Sequence, residues 1–163
     1  MSTTTLGLNT ATLRTTLPFL TGALQTLGAF GGLYFLLVPV EGAKLFGTPF
    51  QNPSSPSPTE TALIKSNGIR NFASAVVGLR LINYAYTLET QGNAAAATAV
   101  GHAVGTLLFI GTAVALSDAW VCNEYAKQPS LKGDDRELAQ NSSTGHMVMS
   151  VPIALLGLAW LYS

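Results

Sequence analysis

Charge is what this sequence has least of. Lys, Arg, Asp and Glu make up 10% of its 163 residues, against roughly 25% in ordinary soluble domains. A soluble fold of this length has too much surface for so thin a polar coat, so the expected cover is lipid. Eight basic residues balance eight acidic ones, and no Lys/Arg cluster is present to neutralise phosphates, which argues against a nucleic-acid partner. Cysteine is nearly missing as well. Cys122 alone can form no internal disulfide and no multi-thiolate zinc site, and it reads as a small apolar filler near a helix end. No metal or cofactor is expected. Ahead of the first apolar run there is no basic segment of the signal-peptide kind, so that run is expected to act as its own insertion signal. Long-period repeats and strand-type alternation are not found.

What remains is apolar helix. Hydrophobic residues make up 48% of the chain, arranged in long runs bounded by turn signals. Residues 1–16 read as a polar tail and residues 17–163 as one membrane domain. Thr15 to Val40 carries no charge and exceeds the about 20 residues a crossing helix needs. On it, Thr21, Gln25, Gly28 and Gly32 share one face, and Gly28-x-x-x-Gly32 predicts a close helix contact. Glu41 to Phe50 is short and amphipathic and is expected at the interface. Gln51 to Pro58 reads as a loop, and Ser57-Pro58-Thr59-Glu60 is a capping box that starts the second span, which runs to about Tyr86. Gln91-Gly92-Asn93 is the tightest turn. Ala94 to Ser117 forms the third span, with Gly101-x-x-x-Gly105 as a second packing pattern and His102 beside it as a packing residue. Gln128 to Ser143 reads as a charged loop with at most one helical turn at Asp134 to Leu138. Thr144 to Ser163 is the last span, with Pro152 as a kink and Trp160 and Tyr162 as interfacial anchors. The expected fold is all-α, an antiparallel bundle of four transmembrane helices.

Four such crossings decide which polar residues share an end. Glu41, Lys65, Asn67, Arg70, Asp118, Glu124 and His146 belong to one end, Arg80 and His102 to the other. An arginine deep in an apolar span is costly unless protein or water surrounds it, which makes Arg70 a functional candidate. On the second span Ser66, Asn67, Arg70 and Ser74 fall on one face by three- and four-residue spacing. Two readings of the convergence stand. Arg70 and Asp118 are an ion pair that holds the helices together, or they form an acid–base site with His146. In the second reading Asp118, Arg70 and His146 are the catalytic candidates, and Asn67, Ser74, Gln25 and Glu124 the substrate-binding ones. The positive charge near the polar end places that end in the cytosol and both termini on the opposite side, in the endoplasmic reticulum membrane. The sequon at Asn141 would then be cytosolic and unmodified.

Gly68-Ile69-Arg70, Ser117-Asp118 and Gly145-His146 together resemble a family of small four-span membrane proteins of fungi and bacteria catalogued as a domain of unknown function. The resemblance covers roughly residues 17–163. More loosely, the chain is similar to small membrane proteins of fungal polyketide pathways assigned as epoxide hydrolases or cyclases. That likeness implies opening of an epoxide on a lipophilic small molecule. A carboxylate such as Asp118, with His146 as the alternative, could activate water or an internal hydroxyl. Arg70, which does not lose its proton, could stabilise the alkoxide. The alternative function is a non-catalytic lipid-binding or assembly subunit that holds partner helices on its glycine faces. Membrane lipid is an expected partner in either case, and a homo-oligomer is compatible with the sequence.

Overall fold

The computed structural model describes residues 10–131 and 133–163, with side chains from Thr16 onward. It is all-α: α1 (Thr10–Leu37), α2 (Pro39–Phe46), α3 (Pro58–Thr90), α4 (Ala94–Ala126) and α5 (Asp134–Leu161). The local signals act as read. Ser57 caps α3 by accepting from the Glu60 backbone N–H at 3.2 Å, and Glu60 accepts from the Ser57 N–H at 3.0 Å. Pro58 stands at the first helical position, where a missing N–H costs nothing. Gly92, at φ 76, makes the α3–α4 turn, and the Asn93 side chain accepts from Ala96 to cap α4. Pro39 separates α1 from α2.

Two expectations about the ends are corrected. The segment from Gln128 to Ser143 is not mainly loop, because α5 starts at Asp134 and its first turn carries Asp134, Asp135 and Glu137. Acids there favour a helix N-terminus. The charge that suggested a loop is therefore a helix start, and buried Ala139 and Ser143, four residues apart, pack it down. The Asn141 sequon thus lies within a helix, with Ser143 donating to the Ala119 carbonyl at 2.8 Å. Similarly, part of the expected polar tail is helical, since α1 begins at Thr10. Residues 1–9, Lys132 and the Arg14 side chain lie outside the described residues.

Backbone approach through glycine builds two tight helix pairs. A Cβ at Gly32 would stand 2.7 Å from the Gly68 carbonyl oxygen and 2.9 Å from the Phe72 Cα, and one at Gly28 would rest on Ala75. Contacts therefore advance along α3 as they recede along α1, and those two helices run in opposite directions. In the second pair Gly105 meets the Gly157 carbonyl of α5 and Gly101 meets the Trp160 ring, again in reversed order. Both glycine patterns read in the sequence are used inside the chain. The pairs join along the α3–α4 face, with apolar clusters toward each end. Phe35, Ala43, Phe46, Phe50, Ile64 and Cys122 form one, and Leu17, Ile82, Val104, Leu108 and Trp160 the other. Gly42, Ala43 and Phe46 are buried, so α2 is folded onto the bundle with one face.

The outer surface is apolar to a degree water does not favour: Phe19 is 75% exposed, Leu27 69%, Phe30 68% and Leu155 60%. α1 from Thr16, α4 and α5 are long and apolar enough to cross a membrane. The fourth expected span is not among them. α3 has the length but carries Lys65, Arg70 and Arg80 and is the least apolar of the four long helices. Two aromatic and imidazole expectations also change. Trp160 is buried and donates its indole N–H to Thr21 at 2.9 Å, so it fastens α5 to α1 instead of anchoring an interface. His102 is exposed rather than packed.

Because Gly32 faces α3 backbone, Gly32→Ala should force the helices apart and cost about 1–3 kcal/mol. Gly31→Ala, where a Cβ meets nothing within 4 Å, should be neutral or slightly stabilising through helix propensity. Thermal unfolding of both proteins in the same detergent checks the contrast; equal melting points would refute the tight α1–α3 contact.

Candidate functional site

Arg70 lies about 18 Å along α3 from its first residue, between the apolar cluster that includes Ile64 and the one that includes Ile82. Asp118 holds the matching place on α4, between Leu108 and Cys122. Their side chains meet across the seam in a two-point grip, with Nη2 donating to Oδ2 at 2.8 Å and Nη1 to Oδ1 at 3.4 Å. Arg70 Nε donates to Asn71 Oδ1 at 3.3 Å. The pair is only partly dry: the Arg70 side chain is 37% exposed and that of Asp118 12%. Coulomb attraction is therefore stronger than at a free surface, while the desolvation cost stays below that of a fully buried pair.

A cavity opens on each side of this pair, and both ions line both cavities. The inner one, about 250 Å³, is walled by α1, α3, α4 and α5 and collects Gln25, Ser74 and His146 around a largely aliphatic lining. The outer one, about 560 Å³, lies toward the α2–α3 connection and is lined by Asn67, Ser66, Ser117 and Tyr125 among others. His146 stacks at a tilt on Phe46, ring centroids 5.3 Å apart, and stands within electrostatic reach of Asp118 and Arg70. The Gln25 side chain lies where a Cβ on residue 78 would fall, 2.6 Å from its Cδ, so glycine at that position is what admits it.

Of the seven residues singled out by sequence, six line these cavities. Arg70 and Asp118 touch, His146, Gln25 and Ser74 share the inner space, and Asn67 stands in the outer one. Glu124 is the exception. It lines neither cavity and pairs with Lys127 at 2.6 Å on the surface, because it faces away from the seam on α4. Sequence reading missed Asn71, the second partner of Arg70, and the connection after α2. That connection is drawn over the outer cavity by three bonds: Cys122 Sγ to the Phe46 carbonyl and Tyr125 Oη to the Pro49 carbonyl, each at 3.0 Å, and the Gln51 N–H to Glu60 at 3.3 Å. Bonds from the Ser57 hydroxyl and backbone, and from Gln51, hold the Glu60 carboxyl below the usual carboxylate range. The aromatic ring of Phe50 beside a polar loop was the weak signal available, since Phe is a residue type that is most often buried, as it is here. Among the described residues no group of three His, Cys, Asp or Glu is placed to hold a metal.

Chemically, the arrangement offers a carboxylate and an imidazole in the lining of one largely aliphatic cavity, with the Arg70 cation paired to the carboxylate and lining both cavities. Comparison with known proteins adds a family. A family model with the description Domain of unknown function (DUF4267) matches residues 25–160, a stretch holding the Gly68-Ile69-Arg70, Ser117-Asp118 and Gly145-His146 motifs. No curated protein and no solved structure matches the chain.

The pairing can be tested apart from any activity. Arg70→Leu or Asp118→Leu alone leaves one ion unpartnered in the seam and should destabilise by about 3 kcal/mol, the lower end for broken buried pairs because Arg70 is partly wet. The double Leu variant should regain at least half of that loss. Unfolding of the four proteins in one detergent gives the cycle, and strictly additive losses would deny the coupling.

Proposed function

Since the chain belongs to the Domain of unknown function (DUF4267) family, whose description names no chemistry, we propose its function from the site: acid–base catalysis on a lipophilic small molecule by an integral-membrane enzyme. The observation that carries this reading is the two-point Arg70–Asp118 pair opening on the inner cavity beside His146. A pair serving only to clamp helices needs no cavity with an imidazole in its wall. The preferred reaction is epoxide opening, in keeping with the looser resemblance to membrane hydrolases and cyclases of fungal natural-product pathways. Water loses a proton to the Asp118 carboxylate as its oxygen attacks an epoxide carbon. The carbon–oxygen bond breaks, and the alkoxide, stabilised by Arg70, takes a proton relayed by the neutral His146 imidazole from the Asp118 carboxylic acid, which restores the carboxylate. An internal hydroxyl in place of water gives a cyclic ether, and Gln25, Ser74 and Asn67 orient the substrate.

In this reading α3 is the fourth span of an antiparallel bundle in the endoplasmic reticulum membrane. Its 33 residues reach about 50 Å, beyond the about 30 Å of hydrocarbon. Asp118 neutralises Arg70 within the bundle, and exposed Arg80 extends toward the far headgroups. Lys44, Lys65, Lys127 and Arg136 mark the cytosolic end. Tags at both termini should be protected from, or open to, protease together; opposite exposure would mean an odd number of crossings.

One observation favours the non-catalytic alternative of a lipid-binding subunit: every Asp118 oxygen already has a donor from Arg70, as a purely structural pair would. The version that docks partner helices on the glycine faces has less support, because Gly28, Gly32, Gly101 and Gly105 all pack within the chain.

Asp118→Asn keeps shape and removes basicity, and a positioned base is commonly worth about 100- to 10,000-fold in rate. Turnover of a lipophilic epoxide in nanodiscs should fall by at least about 100-fold while the protein stays monodisperse. Arg70→Lys, which loses the planar donor fork, should be impaired as well. Full turnover in a folded Asp118→Asn protein would remove Asp118 as the base.

A further inference from the structure

The outer cavity is richer in neutral polar groups than the inner one. Its walls combine Phe46, Phe50, Leu63 and Val121 with the amide and hydroxyl groups of Gln51, Ser66, Asn67, Ser117 and Tyr125. The only charged residues in its lining are Arg70, Asp118 and Glu60. Arg70 and Asp118 cancel each other. Glu60 is turned to the Ser57 and Gln51 backbones. Among the described lining residues no cation is left over to meet an anion, so a carboxylate or phosphate held by these walls would lose its hydration without a partner. The inner cavity, by contrast, is lined mainly by Leu, Ile, Val, Met and Ala side chains.

Resting on the reading of a lipophilic substrate, we propose that one neutral amphipathic molecule occupies both cavities. Its apolar arm lies in the inner one, its uncharged hydroxyl- or carbonyl-bearing end lies in the outer one, and its middle passes the Arg70–Asp118 pair. The outer volume, 560 Å³, falls in the range of small-molecule sites, roughly 300–1,000 Å³, and the inner one, 250 Å³, adds a smaller arm beside it. Both contain the ions, so a molecule spanning them presents its central atoms to Asp118. Asn67 and Ser117 supply hydrogen bonds to the polar end from α3 and α4, and the segment after α2 roofs it. Fatty acids and phospholipids are excluded by charge, not by size.

The test reads binding. In phosphatidylcholine nanodiscs, a medium-chain monoacylglycerol with a diazirine at its chain terminus should label the α5 peptide that holds Met149 and Ile153. Unlabelled monoacylglycerol should suppress this labelling at about tenfold lower concentration than the ionised fatty acid of the same chain. Val121→Trp enlarges a residue that lines the outer cavity and not the inner one, and should cut labelling about fivefold or more. Leu63→Trp does so from the α3 wall, so the result does not hang on the folding of one variant. Equal suppression by the fatty acid, label confined to lipid-facing peptides, or full labelling in a monodisperse Trp variant overturns the proposal. Labelling as expected without epoxide turnover would strike the acid–base reading alone. Turnover without this pattern of labelling would strike only the two-cavity inference.

Discussion

An arginine cannot shed its charge, so once Arg70 stands in the middle of a long helix between two apolar clusters, something must answer it. Asp118 does, through both guanidinium arms. Much of the architecture follows from that requirement. A guanidinium and a carboxylate end to end hold α3 and α4 farther apart than two glycines would. The pair spans the seam between the tight pairs α1–α3 and α4–α5, and it lines the cavity on either side.

The seam is closed elsewhere by other means. At one end the indole of Trp160 bonds to Thr21 across the bundle. At the other, α2 and the residues after it are laid over α4 and fastened by Cys122 and Tyr125. Gly47, at φ 93, makes that path possible, because a Cβ there would strike the Ser142 side chain. The molecule is thus fastened at both ends and open in the middle. Such a division would suit the proposed site, and for helices apolar enough to cross a membrane close packing is what holds them together.

The candidate site is small and its chemistry economical. A carboxylate and an imidazole share one apolar space, and an amide from α1, Gln25, reaches it only because residue 78 is glycine. Low polarity around such groups strengthens each electrostatic term and raises the cost of any unpartnered ion. For that reason the ion pair and the catalytic reading share the same residues. A group placed to stabilise charge in a substrate needs a counter-ion while the site is empty.

By itself the sequence determined that the chain is mainly apolar helix, where α3 and α4 begin, and which residue types lie at the polar end. These are local matters: the Ser57 cap, the Gly92 turn, the glycine spacing on α1 and α4, and the scarcity of charge. End-matching of reversed helices was enough to bring Arg70 and Asp118 to one depth, because a helix has a fixed rise per residue. Rotation about each helix axis was beyond it. Only tertiary packing turned Glu124 outward to Lys127, buried Trp160 against Thr21 and aimed Asn71 at Arg70. Charge in the stretch from Gln128 to Ser143 misled for a related reason: composition cannot tell a solvated loop from the exposed face of a helix whose other face, at Ala139 and Ser143, is buried. The two cavities belong wholly to the packed structure. They arise from how far apart two helix pairs are held, and that distance is set by side chains from four elements at once.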